Sequence, residues 1–103
     1  EEAITFFDRA LEIDKSFAYS YNNRGFSKIK LGRMEEGLND LNQSYELDPY
    51  NPYYFRNLGI YYQERGDYQK ALELFLESKS LDNYTYNIDT LIVETQKYLN
   101  QKA

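Results

Sequence analysis

The chain has 103 residues, a formal net charge of −5, and neither cysteine nor histidine. This length allows one small cooperative domain, and the lack of cysteine excludes disulfides, zinc thiolate sites and thiol nucleophiles. Without histidine the chain also lacks the usual general base and the commonest metal ligand. A chain this acidic lacks the sustained positive field that a phosphate backbone requires. These features argue against an enzyme, and no metal or other cofactor is predicted.

Two repeats of 34 residues, 18–51 and 52–85, align end to end without a gap. A fixed period in this range is typical of a solenoid, in which each repeat buries its apolar face against its neighbours. Nine aligned positions are identical: Tyr19/Tyr53, Asn23/Asn57, Gly25/Gly59, Gly32/Gly66, Leu38/Leu72, Ser44/Ser78, Leu47/Leu81, Asp48/Asp82 and Tyr50/Tyr84.

The first three predicted helices lie before residue 48. Residues 1–14 match the second helix of a repeat whose first helix is absent, because Ala3 aligns with Gly37 and Ala71. A helix over residues 19–31 ends at Gly32, which can take the left-handed C-cap conformation. A helix over residues 35–47 follows, with apolar residues near helical spacing.

The last three helices begin at a clear signal, because Asn51 is a good N-cap and Pro52 suits the first helical turn. They are predicted over residues 53–65, 69–81 and 88–101. The last has one polar face, as expected of a helix that caps an open end. We therefore predict one domain over residues 1–103: the second helix of a truncated repeat (1–17), full repeats (18–51 and 52–85) and a capping helix (86–103).

The chain opens on Glu1 without an initiator methionine, so we expect it to be a fragment. A segment before residue 1 could hold a targeting signal. The compartment therefore stays open, with the cytoplasm favoured.

These repeats resemble the tetratricopeptide repeat (TPR) family, whose pattern is W-x2-L-G-x2-Y, then A-x3-F, then P. The second repeat carries Phe55-x2-Leu58-Gly59-x2-Tyr62 and Ala71-x3-Phe75. The first carries Tyr21-x2-Arg24-Gly25-x2-Lys28, Gly37-x3-Leu41 and Pro49. The resemblance implies an all-α superhelical solenoid of about six antiparallel helices. It also implies a non-catalytic module that binds another protein or a peptide segment in its concave groove.

The first repeat departs from the pattern at Arg24, which stands where the second repeat has Leu58. Asp40, in the facing helix, stands where the second repeat has Leu74. Because both partners change together, we predict that Arg24 and Asp40 form an ion pair. The alternative is that Arg24 is a cation that binds a ligand.

In TPR proteins the first helix of each pair lines the groove, and the register then selects the candidate binding residues. They lie on the first helix of each full repeat and on or just before the last helix of the chain. In that order they are Tyr19, Asn22, Asn23, Phe26, Ile29 and Lys30; Tyr53, Arg56, Asn57, Ile60, Gln63 and Glu64; and Asn87, Thr90, Leu91 and Glu94. The resemblance implies that the repeated Asn23 and Asn57 bond to the backbone of a bound peptide, since an amide offers both donors and an acceptor; the alternative is that they face water. Tyr19 and Tyr53 are candidate aromatic anchors.

The carboxylate clamp that holds the acidic tails of heat-shock chaperones does not carry over. Of the positions it requires, Asn57 matches, whereas Asn22, Phe26, Asn87 and Leu91 do not.

Two other functions are left open. One is an architectural spacer or self-association segment inside a longer solenoid. The other is an RNA-binding helical array, suggested by the basic stretch Arg24, Lys28, Lys30 and Arg33 but disfavoured by the acidic balance. The expected partner is a protein, with no nucleic acid and no membrane insertion.

Overall fold

The computed structural model describes residues 1–14 and 17–102, and this part of the chain forms six α-helices and no strand. The helices are α1 (Glu2–Ile13), α2 (Ala18–Lys30), α3 (Met34–Leu47), α4 (Pro52–Glu64), α5 (Tyr68–Leu81) and α6 (Ile88–Lys102). Every bound lies close to its predicted position, and the all-α fold is confirmed. Among the described helices, none has the length and apolar character needed to cross a bilayer.

The chain divides into two compact units, Glu1–Tyr50 and Asn51–Ala103, here called the N-terminal and C-terminal halves. The boundary falls at the junction of the two sequence repeats. In the N-terminal half, α2 packs against both α1 and α3. In the C-terminal half, α5 packs against both α4 and α6.

The first helix of each repeat ends in a glycine with positive φ, as predicted. Gly32 has φ +85° and Gly66 has φ +83°. The N–H of Arg33 donates to the Lys28 carbonyl at 2.8 Å, and the N–H of Asp67 donates to the Tyr62 carbonyl at 2.9 Å. These are Schellman bonds, which satisfy carbonyls that the helix end leaves unpaired.

Helix starts and interhelical turns use carboxylate and amide side chains. The Asn51 Oδ1 accepts the Tyr53 N–H at 2.9 Å, so the predicted N-cap of α4 is confirmed. Asp67 caps α5 by accepting the Lys70 N–H at 3.1 Å. The repeated Asp48 and Asp82 follow the second helices, and each accepts the N–H of the tyrosine two residues later.

The paired helices cross where a glycine removes bulk. A Cβ added to Gly25 would lie 2.8 Å from the Gly37 carbonyl oxygen in α3. At Gly59 it would lie 2.5 Å from the ring of Phe75, which is fully buried in α5. Both distances are far below van der Waals contact, so the predicted close approach is confirmed and a side chain here requires the helices to separate.

We predict that Gly59→Leu destabilises the chain by about 1–3 kcal/mol, because the added atoms overpack the α4–α5 crossing. Leucine is the better helix former by about 0.8 kcal/mol, which offsets part of this loss. Urea denaturation of Gly59→Leu beside Ser80→Leu, an exposed α5 position, separates overpacking from propensity. Equal stability of Gly59→Leu and the wild type would contradict the register.

Candidate functional site

In the N-terminal half, the candidate residues of α2 divide into open and closed positions. Tyr19 is 57% exposed, and Lys30 is also exposed. Asn23 is half-buried, and its Nδ2 donates to the Tyr19 carbonyl at 3.0 Å. Asn22 and Ile29, by contrast, are buried. Tyr19 and Asn23 therefore lie side by side at the start of the open face of α2.

Aromatic residues that sequence reasoning did not include surround Tyr19. The rings of Phe7 and Tyr19 meet edge to face with centroids 6.2 Å apart, and those of Phe17 and Tyr19 are 5.5 Å apart. Phe17 and Phe6 are both exposed. Phe17 precedes α2 and Phe7 lies in α1, so the register of the groove-lining helices selects neither residue. Their aromatic type, next to Tyr19, was the available signal.

In the C-terminal half, the candidate residues of α4 bond to one another. Asn57 is 1% exposed, and its Oδ1 accepts from the Arg56 Nε at 3.1 Å and Nη2 at 2.9 Å. The Arg56 Nη1 also donates to the Tyr86 carbonyl at 3.2 Å, and its guanidinium lies 5.1 Å from the centre of the Tyr53 ring. The Tyr53 hydroxyl oxygen accepts the Tyr86 N–H at 3.0 Å. This cluster joins α4 to the segment that leads into α6.

Arg56, a candidate binding residue by register, is therefore not exposed to a ligand in the groove but buried in this cluster. Its side chain is 8% exposed, and burial lowers its pKa. The alternative that Asn57 simply faces water is wrong. Ile60 and Leu91 are buried as well, whereas Glu64, Asn87, Thr90 and Glu94 are exposed. Asn23 and Asn57 share one register position but differ in environment.

The predicted Arg24–Asp40 ion pair is confirmed. The guanidinium donates twice to the carboxylate, from Nε at 2.8 Å and from Nη2 at 2.7 Å. Two further contacts extend it, since Arg24 reaches Asp8 of α1 at 2.9 Å and Lys28 reaches Asp40 at 3.1 Å. The hydrogen bond to Asp40 raises the pKa of Arg24 against the opposing effect of burial. Arg24 thus connects α1, α2 and α3.

The fold defines a class of protein: an array of helical hairpins with a period of 34 residues. A sequence profile described as tetratricopeptide repeat matches residues 16–83. The chain belongs to this family.

The relatives and neighbours agree with this assignment. Tetratricopeptide repeat protein 16 of Mus musculus is 28% identical across 95% of this chain. Hsp70-Hsp90 organizing protein 1 of Glycine max is 34% identical across 79%. The chain spans 14% of the length of each relative. The first TPR of Spaghetti (RPAP3), solved bound to the HSP90 peptide SRMEEVD, superposes with a TM-score of 0.79 at 12% identity, covering 94% of this chain and 77% of that one. Family and fold together support a protein-interaction module.

The two repeated asparagines give a matched prediction. Asn57→Ala leaves the buried Arg56 guanidinium without one of its acceptors, and we expect a loss of about 1–3 kcal/mol. For a domain of this size that corresponds to a fall in melting temperature of roughly 4–8 °C per kcal/mol. Asn23→Ala, at the same register position, should change stability by less than about 0.5 kcal/mol. Thermal melts of the two variants check this, and equal losses would contradict it.

The ion cluster predicts that Asp40→Leu is strongly destabilising, by about 3 kcal/mol, because Arg24 and Lys28 both lose their main partner. Arg24→Leu with Asp40→Leu leaves Lys28 with the more distant and exposed Glu36, 4.0 Å away, so the double variant should also lose stability. Adding Lys28→Tyr gives all three positions the residues of the second repeat. The free energy of unfolding of this triple variant should lie within about 1 kcal/mol of the wild-type value. A triple variant as unstable as Asp40→Leu in urea denaturation would show that these side chains are not coupled.

Proposed function

We propose that this chain is a non-catalytic interaction module that binds an extended segment of a partner protein along the first helices of its repeats. The observation that carries the proposal is the open face of α2, where Tyr19 is largely exposed beside the Asn23 amide. An exposed aromatic ring next to a polar group is a recurrent composition of binding hot spots.

The environments of the asparagines favour α2 over α4 as the principal contact. Asn23 is half-exposed, and its amide bonds to the Tyr19 carbonyl one turn earlier in the same helix, so a bound peptide can compete for this amide at little structural cost. Asn57 is buried and bonded to Arg56, so engaging it would break an internal cluster. In the C-terminal half, the exposed Glu64 at the end of α4 remains a candidate contact, as does the half-exposed Tyr53 at the start of that helix.

Segment binding is a use for which the fold has precedent, since one structural neighbour was solved with an HSP90 peptide. Of the chaperone-tail clamp described above, Asn57 is the matching residue, and its side chain is buried here. The spacer function stays the second candidate, because the chain spans a small part of its longer relatives.

A phage-displayed library of random peptides, selected against the whole chain, supplies a probe without knowledge of the natural partner. For a selected peptide, Tyr19→Ala should raise the Kd at least about tenfold, which corresponds to ~1.4 kcal/mol. Asn23→Ala should weaken binding while leaving the melting temperature unchanged. Tyr50→Ala is the matched control, because Tyr50 is 77% exposed but lies in the turn after α3.

Chemical-shift mapping of the same peptide locates its site independently. Perturbations should cluster along α2. Perturbations confined to the second helices, around Glu36, Gln43, Gln69 and Glu73, would refute the assignment, as would a selected peptide whose Kd is unaffected by Tyr19→Ala.

A further inference from the structure

Two turns of the molecule display a tyrosine ring beside an aspartate. They span residues 48–50, after α3, and 82–84, after α5, and are here called the tyrosine turns. Tyr50 is 77% exposed and Tyr84 is 93% exposed, and Asp48 and Asp82 are exposed as well. Both residue types recur at the same positions of the two repeats. Rings this exposed bury little apolar area within the chain, so packing does not account for their recurrence.

The exposure of these rings is a property of the turn and not of the ends of the chain. The turn at residues 48–50 lies at the junction of the repeats 18–51 and 52–85, and Tyr50 is still largely exposed. Tyr84, at the same position of the second repeat, repeats this environment. The two rings are therefore presented to solvent by the design of the repeat.

Side-chain hydrogen bonds fix the backbone of both turns. The Asp48 Oδ1 accepts the Tyr50 N–H at 3.1 Å, and the Asp82 Oδ1 accepts the Tyr84 N–H at 2.8 Å. In the second turn, the buried Thr85 adds a bond from its hydroxyl to the Asp82 carbonyl at 2.8 Å. Each carboxylate is thus held next to the backbone of the tyrosine that follows it.

The sequence around both turns contains acids and no base. No lysine or arginine occurs between Arg33 and Arg56, or between Lys79 and Lys97. Lys79, at the border of the second stretch, pairs with Asp89 at 2.8 Å. The local charge at each turn is therefore negative, which favours the approach of a cation.

We propose that each tyrosine turn binds an arginine side chain from a basic segment of a partner protein. The face of an aromatic ring attracts a guanidinium, and the neighbouring carboxylate accepts its N–H groups. The chain makes the same combination internally, since Arg24 lies 5.6 Å from the centre of the Tyr21 ring while it bonds to Asp40. Arg56 and Arg65 also lie over tyrosine rings, with distances of 5.1 Å and 5.5 Å to the ring centres.

Arginine fits these turns better than lysine does. Its planar guanidinium stacks on a ring and presents several donors in a fixed fork, whereas an ammonium is a compact and strongly hydrated charge. The cost of ordering the turn is small, because a tyrosine side chain has only two rotatable angles and the backbone beneath it is already bonded. This binding is independent of the open face of α2, which contributes no residue to either turn.

A second copy of this chain is a less suitable occupant. Each copy carries a net charge of −5, so two copies repel each other. Arg24 and Arg56, moreover, are engaged in bonds within the chain.

A fluorescent synthetic peptide of repeated Gly-Ser-Arg units tests the proposal. Its anisotropy with the whole chain at low salt should show saturable binding. The matched peptide of Gly-Ser-Lys units should bind at least about twofold more weakly, and that of Gly-Ser-Glu units should not bind.

Tyrosine variants locate the contact. Tyr50→Ala and Tyr84→Ala should each raise the Kd of the arginine peptide about threefold, and together about tenfold, as expected for exposed cation–π contacts. Tyr19→Ala is the matched control, because Tyr19 is also an exposed tyrosine but lies on α2. It should leave the Kd within about twofold.

Carboxylate variants separate this contact from general attraction to an acidic chain. Asp48→Asn with Asp82→Asn keeps an oxygen that can accept each tyrosine N–H but removes both charges, and it should raise the Kd about tenfold. Glu73→Gln with Glu77→Gln is the control, because it removes the same charge from exposed positions of α5. It should leave the Kd within about twofold. Thermal melts confirm that all variants fold.

Four results would overturn the proposal. The first is no binding of the arginine peptide. The second is binding that the paired tyrosine variant leaves unchanged. The third is an equal loss in the two paired carboxylate variants, which would indicate attraction to the net charge alone. The fourth is self-association of the chain, measured by sedimentation, that the paired tyrosine variant abolishes, which would assign the turns to a second copy.

Discussion

The close crossing of paired helices is the constraint on which the rest of the structure depends. At Gly25 and Gly59 the missing side chain lets one helix approach the backbone or a buried ring of the next. Because this approach fixes the rotation of both helices, it decides which residues enter the pair and which face outward. The turns between the paired helices permit this approach, because the positive-φ glycines Gly32 and Gly66 reverse the chain within a few residues.

With the helix crossing fixed, the side chains at the contact between the paired helices can be charged in one repeat and apolar in the other. The first repeat places Asp40, Arg24 and Lys28 where the second places Leu74, Leu58 and Tyr62. A mostly buried ion cluster is not intrinsically more stabilising than an apolar contact of the same volume. Its geometric consequence is different, because Arg24 also reaches Asp8 and so holds α1 against α2. The apolar Leu58 has no polar group with which to make such a bond.

The backbone was therefore predictable and much of the site was not. Local sequence signals predict the helix positions, the Asn51 cap and the terminating glycines. Comparison of the two aligned repeats predicts the Arg24–Asp40 pair. The environment of Arg56 does not, because its acceptor on Tyr86 lies 30 residues away in an irregular segment. The register treats Asn23 and Asn57 as equivalent, and their neighbours make them differ: Asn22 precedes Asn23, whereas Arg56 precedes Asn57. Sequence position predicts which face a residue is on, whereas its neighbours decide whether that face is open.

This distinction bears on how the module presents binding surface. In the C-terminal half, hydrogen bonds among Tyr53, Arg56, Asn57 and Tyr86 satisfy these polar groups within the protein. The bonds also hold α4 against the segment that leads into α6. In the N-terminal half, Tyr19 and Phe17 are exposed, and the half-buried ring of Phe7 meets Tyr19. The internally bonded side chains of the C-terminal half are already ordered, so a partner need order only the open side chains that it contacts, and each of these costs about 0.5–1.5 kcal/mol. Partner contacts are therefore expected to concentrate on α2.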